Sequence, residues 1–256
     1  MIDALYISAT GLRSQQEQID VISNNVANMQ TPGFKRARVN FVEMASPPQQ
    51  GDDASASQRA LHGQGARVLS TTTSFEAGGM KQTHGATDIA ISGAGFFELE
   101  DADGTLSYTR AGQFKIDGEG YFTSADGKHL ARAPQIPTDA TDLQVSARGE
   151  VSVVLPDTAG RSVLGSIEIV SFASPEGLEQ IGDNAFRSTE KSGDAISAMP
   201  GEGNAGKLAQ GYLESANVDM IDEMSSLVLA QRAYQLNARV LQASDQILET
   251  INNLRR

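Results

Sequence analysis

The stretch Met224-Ser225-Ser226-Leu227-Val228-Leu229-Ala230-Gln231-Arg232-Ala233-Tyr234-Gln235-Leu236 lies in the middle of residues 217–254, and its periodicity decides the fold. Taken in steps of three and four, Met220, Met224, Leu227, Gln231, Tyr234, Ala238, Leu241, Asp245 and Leu248 form one seam of a helix with a heptad repeat. A second row, Leu229, Leu236, Val240, Ile247, Ile251 and Leu254, runs beside it. The apolar sector is therefore wider than a two-stranded zipper needs, which predicts more than one neighbour. At about 1.5 Å per residue such a helix would extend about 57 Å, too long for the interior of a small domain. It reads as an assembly element.

The start of the chain supplies a partner. Ile2, Leu5, Ala9, Leu12, Gln16, Ile19 and Val26 repeat the same spacing, with Ile22 and Met29 alongside, which predicts a helix over residues 2–28. Everything between the two helices leaves and returns, so the simplest pairing is an antiparallel coiled coil; two helices packed separately on a globular core is the alternative. Gln16, Gln231 and Asp245 on the seams would penalise wrong registers. Short amides end the first helix at Ser23-Asn24-Asn25-Val26-Ala27-Asn28. Thr31-Pro32-Gly33-Phe34 then predicts a type II turn, with Pro at the first central position, Gly at the second, and Phe34 leaving at a fixed angle. The expected assembly interface is Ile2, Leu5, Leu12, Ile19, Asn24, Asn25, Val26 and Phe34 with Met224, Leu227, Leu229, Tyr234, Leu236, Leu241, Leu248 and Ile251.

Residues 35–66 read as an extended arm or linker, because Pro47-Pro48-Gln49-Gln50-Gly51-Asp52-Asp53 begins a run of Pro, Gln, Ser, Asp, Ala and Gly. From Arg67 the period becomes two, in short runs of Thr, Val, Ile, Phe and Tyr cut by Gly and Asp turns. Strands are expected at 88–92, 96–100, 105–110, 113–117, 121–124, 143–147, 151–155, 162–172 and 208–213, mostly as a meander. The fold class is thus α+β: residues 1–34 and 207–256 form a helical core, and 67–206 a β-rich outer domain, an antiparallel sandwich or small barrel.

The 256 residues include no Cys, which removes disulfides and thiolate chemistry, and the net charge of −12 argues against nucleic acid as a partner. The cluster Lys35, Arg36 and Arg38 reads either as a solvated turn or as a match for an acidic patch on a partner. No apolar run reaches the roughly 18 residues of a membrane span, so no membrane insertion is expected, and residues 1–11 lack the features of a cleaved secretory signal. Asp101, Asp103 and Gly104 begin like a calcium loop, but Gly112 stands where its twelfth-position carboxylate belongs, so a hairpin turn is expected. His62, His84 and His129 lack zinc spacing, Gly93-Ala94-Gly95 opens a strand rather than a phosphate-binding helix, and no nucleophile elbow is present. These readings predict no enzyme, no cofactor and no metal.

The sequence resembles the bacterial flagellar basal-body rod protein family, and within it the distal rod proteins. The resemblance rests on Ile19 to Asn28 running into Thr31-Pro32-Gly33-Phe34-Lys35, on Asp88 to Phe97, on Tyr108-Thr109-Arg110-Ala111-Gly112, on Gln210 to Val218, and on Gln231-Arg232-Ala233-Tyr234. It implies export through the flagellar type III apparatus without signal cleavage. It also implies a helical homopolymer that spans the periplasm as a drive shaft and carries the export channel. The implied partners are further copies of the chain, proximal rod and hook-side axial proteins, and surrounding envelope ring proteins. The 41–65 arm corresponds to a stretch that stiffens the polymer in this family. A proximal rod or hook-type subunit is the nearest alternative. A secreted β-sandwich binding module oligomerised by its helices is the next, and an envelope enzyme such as a cell-wall hydrolase has no constellation to support it.

Overall fold

A computed structural model describes residues 2–45, 63–156 and 160–254. The chain divides into two compact units. The first contains residues 1–27, 37–73 and 219–256, and the second residues 28–36 and 74–218.

The helical unit comprises α1 (Ile2–Ala27), a hairpin of β1 (Ala37–Ala45) and β2 (Gly63–Thr73), and α2 (Met220–Leu254). No helix among the described residues is long and apolar enough to cross a membrane. Helix α1 packs against both the hairpin and α2. The ends of the expected arm are therefore strands. Ala37 pairs with Thr73 and Val39 with Thr71, and a bulge between Asn40 and Phe41 shifts the pattern, so that Ala37, Val39, Val42 and Met44 are the partly covered apolar positions of β1. The Pro-rich centre of the arm, 46–62, lies outside the described residues.

The β-rich unit contains β3 (Met80–Gln82), β4 (Ile89–Ser92), β5 (Phe97–Glu100), β6 (Leu106–Thr109), β7 (Lys115–Ile116), β8 (Phe122–Thr123), β9 (His129–Leu130), β10 (Thr141–Val145), β11 (Glu150–Val154), β12 (Arg161–Ser166), β13 (Ile169–Ser171), β14 (Glu179–Gly182), β15 (Ala185–Arg187), β16 (Ile196–Ala198), β17 (Lys207–Gln210) and β18 (Tyr212–Glu214). One sheet has the order β14-β15-β6-β5-β9-β8-β7 and another β10-β11-β12, while β13 pairs with β16, β17 with β4 and β18 with β3. This corrects the meander: neighbours in a sheet often come from opposite ends of the unit. The expected strand 162–172 divides because β12 joins β11 whereas β13 joins β16. The expected strand 208–213 divides at Gly211, whose φ of 75° turns the chain between β17 and β18.

Ile89 and Ile91 of β4, Phe97 and Leu99 of β5, Val151 and Val153 of β11, and Leu208 of β17 belong to one buried cluster, so the sheets share a core. A second cluster gathers Phe96, Tyr108, Phe172, Leu178 and Phe186, with Phe75 packed against it. Its rings meet edge to face, Phe75 5.0 Å from Phe186 and Tyr108 4.8 Å from Phe172, the arrangement that aromatic quadrupoles favour. The Asp101–Thr105 segment closes a β5–β6 hairpin, with the Gly104 N–H on the Asp101 carbonyl, as the turn reading expected.

Candidate assembly surfaces and a buried ion cluster

Helix α2 meets α1 along a line beside the predicted rows, with Leu227, Ala238 and Leu241 of the first row half-buried at its edge. Asn25 donates to Glu223 at 3.4 Å, and a Cβ placed at Gly11 would lie 2.9 Å from the Asn237 amide. The higher-numbered end of α1 is thus beside the lower-numbered end of α2. Glu223, Ala230 and Asn237 are spaced by sevens; Glu223 and Ala230 are buried, and Ala233, Asn237 and Ser244 are partly covered. The α1-facing line is therefore made mostly of small and polar residues. On a helix of 3.6 residues per turn, the Met224–Tyr234 row lies roughly 40–100° to one side of this line and the Leu229–Ile247 row roughly 60–100° to the other. The second row and the outer members of the first remain exposed: Leu229 at 66%, Leu236 at 61% and Met224 at 52%, with Val240, Ile247, Tyr234 and Leu248 exposed as well.

Among the remaining predicted interface residues, Leu5, Leu12, Ile19, Val26, Leu227 and Leu241 are half-buried, and the side chains of Ile2 and Ile251 lie outside the described residues. Asn24 is exposed, but Asn25 is buried and used internally. Its amide donates to the Ala37 carbonyl at 2.9 Å and accepts the Ala37 N–H at 3.0 Å, so one side chain mimics a neighbouring strand at the start of β1. Gln16, Gln231 and Asp245 are exposed in the subunit, so within it they set no register between α1 and α2. A polar side chain in water carries no desolvation penalty for a wrong register, whereas the buried pair Asn25 and Glu223 does.

The predicted turn at Thr31 to Phe34 is present: Gly33 has φ of 72°, and the Phe34 N–H reaches the Thr31 carbonyl at 3.2 Å. A Cβ at Gly33 would lie 2.5 Å from the backbone of Arg110 and Ala111, so the turn is pressed onto the segment that carries Arg110. Phe34, expected at the assembly interface, is buried within the β-rich unit. Lys35 is buried too. Its Nζ lies 2.6 Å from Glu214 Oε1 and donates to the Glu76 carbonyl at 2.7 Å. Arg110 reaches Glu214 Oε2 at 3.3 Å and the Gly93 carbonyl at 2.8 Å, with its guanidinium 5.3 Å from the centre of the Phe96 ring. Burial drives the Lys35 ammonium and the Arg110 guanidinium below their ordinary pKa ranges, and Glu214 pulls each back up.

The reading of Lys35 and Arg36 as free cations is therefore corrected: Arg36 pairs with Glu76 at 3.3 Å, and Arg38 is the exposed member of the three. Sequence reasoning misses Glu214. Its position at the end of Tyr212-Leu213-Glu214, inside one of the motif stretches, is the signal that could have found it. No cluster of acidic and imidazole side chains suited to a metal occurs among the described residues.

Comparison with known proteins follows the same geography. A family model for flagella basal body rod protein matches residues 5–35, one for the flagellar hook protein FlgE/F/G D1 domain matches 90–153, and one for the flagellar basal body rod FlgEFG protein C-terminal matches 209–254. The chain is 38% identical to the flagellar basal-body rod protein FlgG of Bacillus subtilis and 37% identical to that of Borreliella burgdorferi, in each case over 100% of both chains. Identity to the flagellar hook protein FlgE of Salmonella typhimurium is 24%, over 97% of this chain and 99% of that one. The chain belongs to the flagellar basal-body rod protein family, and it is a structural protein rather than an enzyme.

Proposed function

We propose that this chain is the subunit of the distal rod, a helical homopolymer in the flagellar basal body that transmits torque to the hook and encloses the export channel. The observation that carries this reading is the pair of exposed apolar rows on α2, one on each side of its α1-facing line. A helix with one covered face and two uncovered apolar flanks needs at least two further neighbours, and a polymer of identical copies supplies them. In this reading α1 and α2 pack as an antiparallel coiled coil, the predicted interface residues that stay uncovered in the subunit contact adjacent copies, and the helices build the wall of the tube. Burying the rows at about 25 cal/mol per Å² drives assembly. The other partners are proximal rod and hook-side axial proteins, the envelope rings around the rod where it spans the periplasm, and the type III apparatus that exports the chain. The higher identity to rod relatives than to the hook relative supports a rod position.

The test is negative-stain electron microscopy of the concentrated full-length protein. Tubes or filaments are expected; closed small oligomers or monomers at every concentration would overturn the polymer reading in favour of a binding module oligomerised by its helices.

A further inference from the structure

We propose that Glu214 is a closing latch: the β-rich unit cannot close as a folded body until β17 and β18 dock and bring this carboxylate between Lys35 and Arg110. The first support is topological. Strand β4, which contributes Ile89 and Ile91 to the core, has β17 as its strand partner, and β3 has β18. Leu208 of β17 belongs to the same buried cluster. The first strands of the unit thus wait for the last.

The second support is electrostatic. The side chains of Lys35 and Arg110 are 0% and 4% exposed, and the carboxylate paired with both is Glu214. Their other hydrogen-bond acceptors are backbone carbonyls of Glu76, Ile91 and Gly93. Without Glu214, two cations would enter a dry site facing only dipoles and each other, and an uncompensated buried charge is among the most disruptive defects a fold can carry. The cluster has no spare acceptor, since Arg110 Nε is buried without a hydrogen-bond partner among the described residues.

The third support is that one residue joins several segments. Glu214 Oε1 also accepts the Gly78 N–H at 2.9 Å, its backbone carbonyl accepts the Gly33 N–H at 2.7 Å, and it pairs with Met80 in the β3–β18 ladder. The 33–35 turn, the segment leading into β3, and Arg110 all meet at this residue. A chain emerging N-terminus first, from a ribosome or a narrow channel, therefore keeps this unit open until only the lead-in to α2 and α2 itself remain. Its use in export rests on the rod reading; the folding claim does not.

The test uses the dilute full-length chain and hydrogen exchange read by mass spectrometry on peptides from 31–36, β3, β4 and β5–β6. In Glu214→Gln, exchange in all four regions is expected to quicken together by about tenfold or more. The triple variant Lys35→Met, Arg110→Met, Glu214→Gln removes the charges along with the need for pairing, and is expected to return protection to within a few-fold of wild type. Pulse labelling during wild-type refolding should show β5–β6 becoming protected in the same step as β4 and β18. Near-wild-type protection in Glu214→Gln, a triple variant as open as the single, or β5–β6 protected in an earlier step than β18 would each overturn the latch. Filament formation does not enter these measurements, so failure of the rod reading leaves them interpretable.

Discussion

In the β-rich unit Ile89, Phe97, Val151, Val153 and Ile167 are fully buried, while in the helical unit Leu229, Leu236, Val240 and Ile247 stand in solvent and Ser8, Ser14, Asn25 and Glu223 are covered. The first unit places large apolar side chains inside and neutralises its buried charges within the chain. The second covers Ile22 together with small and polar groups, and leaves many of its large apolar side chains outside. The contrast separates what each unit's hydrophobic surface is for: in one it stabilises the subunit, in the other it is available to neighbours.

The largest effect that follows is on the β-rich core. Phe97 is fully buried and stacks edge to face on Phe114 at 5.1 Å, so Phe97→Ala should cost about 3–5 kcal/mol. Denaturant unfolding of the full-length monomer, followed by exchange of the β5–β6 amides, measures it. A loss below about 1 kcal/mol would mean that this core relaxes around the void, and the contrast between the units would weaken.

A smaller effect is expected where the helical unit relies on polar groups. Asn25→Ala removes two hydrogen bonds to Ala37 and the contact with Glu223, leaving the Ala37 N–H and carbonyl to find water in a partly covered place. The expected cost is about 1–3 kcal/mol, seen as faster exchange at the end of α1 and in β1. The β5–β6 amides should not change. Equal loosening of both regions would show that the units do not respond separately.

These outcomes also mark what the residues reveal. Both helices are legible because a period of three and four sustained over many turns belongs to a helix and to little else, and the type II turn is legible because Pro32 and Gly33 each satisfy one demanding position. The face of α2 that meets α1 is legible only at its edge, in Leu227 and Leu241. Periodicity locates the apolar rows, but close helix approach selects Ala230, Ala233 and the contact between Gly11 and Asn237, which carry little hydrophobic signal. The ends of the arm escape notice because Gly63-Gln64-Gly65-Ala66 has no strand propensity of its own and is extended by pairing with residues 43–45. Lys35 looks solvated because its counter-ion lies 179 positions away, and no local pattern announces a pairing over that distance. For the same reason a fragment limited to residues 67–206 would not isolate the β core, since it lacks Lys35, β17 and β18.

The smallest effect on the subunit should come from the residue type that usually matters most. Leu236 is 61% exposed, so Leu236→Ser removes little buried apolar area from the monomer, and its unfolding free energy should stay within about 0.5 kcal/mol of wild type. In an assembly that covers the Leu229–Ile247 row, however, every copy loses the same contact, and a modest loss per interface is multiplied along the polymer. Sedimentation of the concentrated variant should therefore show much less large material than wild type, although the two monomers unfold alike. Reduced stability of the monomer would mean that the row is already engaged within the subunit. Unchanged assembly with unchanged stability would mean that neighbours dock on the Met224–Tyr234 side alone, and Met224→Ser would then carry the loss.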